Sequence, residues 1–505
     1  MMDNKKLASL KSLLLASVSG KMVYAVSSLV SLPLLAKLLG AEPIGLIGFF
    51  TTLLMVMMVL EGGLTSNLIQ QLATYKSRSV HAFQRYTTAT QCLVFTYVAV
   101  FLVIGLVVAL TVSLLSGFIA EYWLQFKSIT RHEVVQCVTL MGLFIGFNFL
   151  AMVLQGVLVG RESQKILNAL FLPYAFARTL GVWLLLQYVF RVTSVVVYFE
   201  WQLIIQVMYV SALLCALHKE RLIVLSVKCF RLGYLKKGIV FSRGVLFISL
   251  SSMMVVQYDK IYLSGSVPLS EYASYTLACT LAGLPYIFSS AFSSVLFPRF
   301  SIDFTKGNDE RIAKIFASSV SIISFLMVLF VVAVYFYSPV VIELIFAKTI
   351  ADEVKGILPV LVVATSIQCL LVVPFALQLA AKWTSLSLRI NMVCIPLIVC
   401  LLPPMVREWG VNGGAYIWLG YNLISLASTF FYVTRRFDFL KPVMLKKMGV
   451  IAAVIAILYV VHYAVATLTA QVSNVYLALS VQGGSLMVTL LAGLYCIRHD
   501  IVNFK

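Results

Sequence analysis

Four basic side chains fall inside apolar runs of this sequence: Lys21, Arg178, Arg243 and Lys260. A charged group in hydrocarbon costs roughly 2.5–3.5 kcal/mol on insertion scales, so such groups face a cavity or a partner and become functional candidates. Neutral hydrogen-bonding side chains accompany them. Lys21 is followed by Tyr24, Ser28 and Ser31 at spacings of three and four, which draws a polar stripe along one helix face. Tyr174 stands four residues before Arg178 on the same face, and Asn148 and Gln155, seven apart, share another. Arginine and lysine make charge-assisted bonds to phosphate oxygens, and the arginine fork fits them bidentately. Tyr, Asn and Gln supply bonds to hydroxyls. Together these residue types suit recognition of an anionic, hydroxyl-rich group. Eight of the nine cysteines lie in apolar segments without CxxC or Cys/His spacing, so neither a metal site nor a catalytic residue is assigned.

Two acids lie in the same apolar setting, Glu61 and Asp259. Either is a candidate coupling carboxylate, because desolvation favours its neutral form and makes its charge sensitive to which side is open. A permanent ion pair is the alternative for both. Asp259 and Lys260 are adjacent, about 100° apart on a helix, and are expected to point in different directions. The row Ser242, Ser249, Ser252 and Asp259 puts Asp259 on the polar face.

These residues are positioned by a chain of membrane spans. Of 505 residues, 61% are hydrophobic and 11% charged, against ~25% charged in soluble domains, which excludes a large soluble core. Apolar runs long enough for a hydrocarbon layer of about 30 Å predict helices at 12–38, 44–72, 88–117, 134–160, 166–190, 194–217, 240–265, 271–298, 315–337, 356–380, 386–403, 412–434, 448–467 and 474–497. The first run continues to Leu35 without a cleavage pattern, so it reads as a membrane helix and not a signal peptide. With the amino terminus cytoplasmic, about 27 basic residues fall on the cytoplasmic side and about 7 on the other. That bias predicts cytoplasmic termini and explains most of the net charge of +19, so no nucleic-acid partner is needed. Lys21 and Arg178 then lie about 14–18 Å deep, near the midplane, with Glu61 at nearly the depth of Lys21 and Glu200 nearer the outer end of its span. Lys21 therefore either lines a cavity or pairs with Glu61. Arg243 lies near the cytoplasmic end of its span, where it either guards an entrance or snorkels, and Lys260 lies near the outer end.

The basic stretch 218–239 divides the chain into an N-lobe, residues 1–217 with helices 1–6, and a C-lobe, residues 240–434 with helices 7–12; residues 435–505 add helices 13 and 14. A weak internal echo supports the division, because residues 35–45 lead into the second span much as 263–273 lead into the eighth. Parallel repeats of this kind are a transporter architecture. The expected class is an all-α polytopic membrane protein of about fourteen helices, with two pseudo-symmetric six-helix lobes.

The runs LPLLAKLLGAEPIGLIGFFTTLL (32–54) and QYDKIYLSGSVPLSEYASYTLACTLAGLP (257–285), then SSVLFPRFS (293–301) and GVNGGAYIW (410–418), resemble polysaccharide flippases of the Wzx type. These belong to the multidrug/oligosaccharidyl-lipid/polysaccharide (MOP) exporter superfamily. The resemblance covers about 12–434; many O-antigen flippases stop after twelve helices, so 448–497 departs from that pattern, as does Ala273 where the family often has Gly. The resemblance implies a multi-pass protein of the bacterial inner membrane that moves an undecaprenyl-pyrophosphate-linked oligosaccharide, such as an O-antigen unit of lipopolysaccharide, by alternating access. No cofactor beyond a coupling H+ or Na+ is expected, and the expected partners are the lipid-linked glycan, membrane lipids and other glycan-assembly proteins around a monomer. The cationic midplane residues suit a sugar-pyrophosphate headgroup.

Three alternatives compete. A drug exporter for organic cations wants acids in its cavity, whereas the central charges here are mostly basic. A peptidoglycan-precursor flippase of the same superfamily would suit the helix count and the basic charge. A membrane glycan polymerase or ligase wants a sizeable outer loop with catalytic side chains; the outer loops here, 118–133 and 338–355, are short, and His132 and Glu133 are the nearest approach. A transporter, not an enzyme, is the expectation.

Overall fold

A backbone surrounded by hydrocarbon must satisfy its own N–H and C=O groups, which a helix does within a single segment. The computed structural model describes residues 27–78, 83–191, 193–220, 222, 229–346, 348–383, 385–472 and 474–498, and they are helical throughout apart from short turns and an isolated bridge between Gln125 and Pro268. In chain order the helices are α1 (Ser27–Leu39), α2 (Ala41–Met58), α3 (Leu64–Arg78), α4 (Phe83–Leu114), α5 (Ser116–Phe118), α6 (Arg131–Gly160), α7 (Gln164–Phe176), α8 (Val182–Leu184), α9 (Val195–Lys219) and α10 (Leu232–Ser266). They continue with α11 (Leu269–Ala282), α12 (Tyr286–Lys306), α13 (Asp309–Ile345), α14 (Lys348–Leu370), α15 (Val372–Ala380), α16 (Ser385–Trp409), α17 (Val411–Arg436), α18 (Lys441–Ala470) and α19 (Val475–Cys496). Among the described residues, 11 helices are long and apolar enough to cross a membrane, or 12 if α11 and α12, bent by 45°, form one span. The other two expected spans correspond to α1, described from Ser27, and α10.

Four expected spans are interrupted. The span at 44–72 breaks after a 3-10 turn, Val59–Glu61, where Gly62 and Gly63 take φ of 57° and 78° before α3 begins. Left-handed backbone costs other residues about 1–2 kcal/mol and glycine almost nothing, so this pair sets the break. Within 166–190 the helix widens into π turns at Ala177–Gly181 and Leu185–Phe190, the first of them just beyond Pro173, which lacks a backbone donor. The span at 271–298 bends next to Pro285, and that at 356–380 parts at Leu371 between α14 and α15.

The chain forms two compact units, Met1–Ala273 and Ser274–Lys505. In the first, α6 packs against α2, α3, α4 and α9. A Cβ on Gly146 would stand 2.8 Å from the Gly105 carbonyl oxygen, and one on Gly105 2.6 Å from that of Gly146, so α4 and α6 meet backbone to backbone. The Phe50 ring makes edge contacts with Phe144 at 5.0 Å and Phe199 at 5.5 Å, tying α2 to α6 and α9. α10, placed by the sequence division in the second lobe, packs on α2, α3 and α4. One end of this unit is stitched through the segment after α5. The Glu42 carboxylate accepts from the backbone N–H groups of Lys127, Ser128 and Ile129 at 2.8, 2.7 and 3.2 Å, the Trp123 indole donates to Ser264 at 3.0 Å, and the Leu269 N–H donates to the Gln125 carbonyl at 2.8 Å. The echoing segments 35–45 and 263–273 are thus held by one short stretch of chain.

In the second unit α13 packs against α12, α14, α18 and α19, with Phe316, Leu296, Phe300, Val373, Leu377 and Val433 in its core. The two last helices are joined to α13 by polar contacts as well as apolar ones. The Tyr337 hydroxyl lies 2.6 Å from His462 Nδ1 and 3.2 Å from Ser485 Oγ, and the Thr489 hydroxyl lies 3.3 Å from His462 Nε2. His462 is fully buried, so these partners replace water around its ring.

Candidate functional site

The sequence and the fold meet most closely at Arg178. It sits in the π turn Ala177–Gly181, four residues beyond the kinking Pro173, partly exposed within the span Gln164–Phe190. The carbonyls of this widened turn are engaged by α9: the Trp201 indole donates to the Ala177 oxygen at 2.9 Å and Gln202 Nε2 to the Arg178 oxygen at 2.8 Å. The backbone position of Arg178 is thereby fixed from the neighbouring helix.

Its side chain is fixed as well. Arg178 Nε donates to Gln202 Oε1 at 2.7 Å, Nη1 donates to the Tyr174 hydroxyl at 3.0 Å, and Cζ lies 4.5 Å from the Phe144 ring centroid. Tyr174 in turn donates to Gln206 Oε1 and stacks on Tyr209 at 4.0 Å. Gln155 of α6 neighbours the Tyr209 hydroxyl. Gln202 and Gln206 are buried, and Gln206 Nε2 has no hydrogen-bond partner among the described residues. A guanidinium is thus presented on an aromatic platform, with amide and phenol groups around it and an unmet amide donor close by. That arrangement can hold an anion and order the hydroxyls attached to it.

The other expected residues are distributed differently. Asn148 contacts the Met58 sulfur at 3.2 Å, so it serves the α2–α6 contact instead of joining Arg178. Glu61, at the glycine break, accepts the Thr65 N–H at 2.6 Å and so caps the first turn of α3, a contact its sequence position did not announce. Asp259 is buried, and Lys260 Nζ lies 3.3 Å from each of its carboxylate oxygens. The expectation that these neighbours diverge is corrected, since the four-carbon lysine stem folds back along the helix and also reaches the Val256 carbonyl at 2.9 Å. Lys21 and Tyr24 lie outside the described residues, as does the side chain of Arg243. Glu200, weighed as a partner for Arg178, is exposed, and the α9 residue that meets the guanidinium is Gln202.

The capping contact separates two roles for Glu61. Glu61→Gln keeps a carbonyl oxygen that can accept the Thr65 N–H, and should keep both folding and transport, whereas Glu61→Ala should cost about 1 kcal/mol of stability as a lost helix cap does. Transport and thermal melting of both variants check this. An inactive but fully stable Glu61→Gln would instead make the carboxylate's proton the essential feature.

The sequence matches no protein-family model and no curated protein. Its fold is that of MOP-superfamily transporters. A multidrug-resistance MATE-family transporter of that superfamily in an inward-facing conformation aligns with a TM-score of 0.68 at 15% identity, over 83% of this chain and 95% of its own. The lipid II flippase MurJ in an inward closed conformation aligns with a TM-score of 0.67 at 13% identity, over 97% of this chain and 100% of its own. A MOP-superfamily transporter from Pyrococcus furiosus, described as having a binding pocket of reversed polarity, aligns with a TM-score of 0.55 at 14% identity, over 85% and 94%.

Proposed function

We propose that the protein is a flippase of the bacterial inner membrane that carries an undecaprenyl-pyrophosphate-linked glycan, such as an O-antigen unit, from the cytoplasmic to the periplasmic leaflet. One observation carries the reading: Arg178, inside a membrane-spanning helix, is held by Gln202, Tyr174 and the Phe144 ring. A pre-positioned guanidinium within a span is expensive to keep in a membrane and matches the charge and geometry of phosphate. In hydrocarbon a pyrophosphate would lose its hydration, and a fixed cation with neutral donors replaces that water during crossing. Lys21, Tyr24, Arg243 and Lys260 would extend the basic path, and alternating access between two lobes, with cytoplasmic termini, would expose it to each leaflet in turn. The Asp259–Lys260 pair is the candidate coupling element, because protonating Asp259 would release the lysine.

A second reading, flipping of a peptidoglycan lipid precursor, is favoured by one feature. The alignment with the lipid II flippase takes in 97% of the chain, whereas that with the MATE transporter takes in 83%. Both readings share a polyprenyl-pyrophosphate cargo. Deletion of the gene in its host distinguishes them by the lipid that accumulates on the cytoplasmic face. An O-antigen-type lipid-linked oligosaccharide supports the first reading, lipid II supports the second, and an unchanged lipid profile with retained organic cations overturns both.

A further inference from the structure

A second polar cluster lies within the unit Ser274–Lys505, and it contains no charge. α17 is the least apolar of the eleven spans, yet no Asp, Glu, Lys, Arg or His occurs from 411 to 434, nor from 356 to 381 in α14 and α15. Trp418 and Tyr421 of α17 stack with ring centroids 5.6 Å apart, and the Tyr421 hydroxyl donates to Asn391 Oδ1 of α16 at 2.9 Å. Arg389, two residues from Asn391, is exposed, with its Cβ about 200° around that helix. Tyr286, the first residue of α12, is 41% exposed, with its hydroxyl beside Thr365 of α14 and within electrostatic reach of Tyr421. Tyr421 also lies beside Ser425.

On the same helices, the Ser366 hydroxyl and Gln368 Oε1 of α14 and Asn422 Oδ1 of α17 are buried with no hydrogen-bond partner among the described residues. Such orphans cost about 1–3 kcal/mol each and call for a partner. Aromatic rings joined to amides and hydroxyls, without charge, match a pyranose, which has an apolar C–H face and a rim of hydroxyls. We propose that this cluster is a subsite for an uncharged sugar residue of the cargo. The Trp418–Tyr421 pair takes the C–H face, and Asn391, Thr365 and Tyr286 take hydroxyls. The assignment rests on the proposed function and adds to it the chemical class of what is bound apart from the pyrophosphate.

The test compares two lipids on the purified full-length protein in nanodiscs: undecaprenyl pyrophosphate, and the same lipid bearing one N-acetylglucosamine. Wild type should bind the glycosylated lipid about tenfold more tightly, as expected for one or two added hydrogen bonds and a ring contact. Trp418→Leu should erase that difference and leave the sugar-free lipid bound as before. Tyr421→Phe keeps the ring but removes the hydroxyl that holds Asn391 in place, so it should lose roughly three- to tenfold for the glycosylated lipid alone, as the Asn391 bond to the sugar weakens. Arg178→Ala should weaken both lipids. The subsite is overturned if Trp418→Leu and Tyr421→Phe discriminate as well as wild type, or weaken both lipids equally. A wild type that binds neither lipid overturns the proposed function, and this subsite with it.

Discussion

Replacing Arg178 by alanine should reduce glycan export by roughly ten- to hundredfold, because a charge-assisted hydrogen bond to a desolvated anion is worth about 1.5–3 kcal/mol and each 1.4 kcal/mol is tenfold. The effect should be graded. Arg178→Lys keeps the charge but offers a single compact donor head in place of the planar fork, so it should retain partial export. Arg178→Glu would set a negative charge against the proposed pyrophosphate cargo and should be the most severe. Folded protein should hold near wild-type amounts in the alanine variant, since the bonds from Trp201 and Gln202 to the π-turn carbonyls remain when the guanidinium's own bonds to Gln202 and Tyr174 are lost. Export assayed beside the monodisperse fraction in detergent checks both halves. Export and folded protein lost together would make Arg178 a structural clamp on Gln202 and Tyr174.

Gly146→Leu should leave little or no folded protein. The added Cβ alone would stand 2.8 Å from the Gly105 carbonyl oxygen and 3.0 Å from the Ala109 Cβ, so α4 and α6 must part before the rest of the side chain is placed. Overpacking of a core commonly costs about 1–3 kcal/mol, and more where backbone opposes backbone. The consequence reaches the site, because Phe144, two residues away on α6, is the platform beneath Arg178. Gly146→Ala adds only the Cβ, which still forces the two backbones to shift, and should fold with a lowered melting temperature and weakened export. A Gly146→Leu protein that purifies as a monodisperse, active species would contradict the close approach.

The spans were legible because their length and apolarity answer to the thickness of a bilayer, and a run such as 134–160 has no other use in a soluble chain. The breaks were not, since a hydropathy window averages over Gly62 and Gly63 and registers no backbone angle. Arg178 stood out by the cost of its charge. Its partners did not: Gln202 and Gln206 are neutral amides four residues apart, whose shared face on α9 was available in the sequence but whose modest insertion cost drew no notice. The geometry of Asp259 and Lys260 was misjudged because helical angles describe where Cβ points, while a lysine ammonium sits several bonds further out. The division of the chain by charge at 218–239 could not register the packing of α10 on α2, α3 and α4, which depends on contacts between residues nearly two hundred positions apart.

Movement of a pyrophosphate-linked glycan across a bilayer past Arg178, as proposed, can be followed in proteoliposomes. Undecaprenyl-pyrophosphate-linked N-acetylglucosamine is placed in one leaflet, and its appearance in the other is followed by a membrane-impermeant lectin. Wild type should accelerate transfer well above protein-free vesicles, and Arg178→Ala should return it close to that background. Transfer no faster than in empty vesicles would rule out the flippase, and equal transfer by wild type and Arg178→Ala would rule out Arg178 as its anion site.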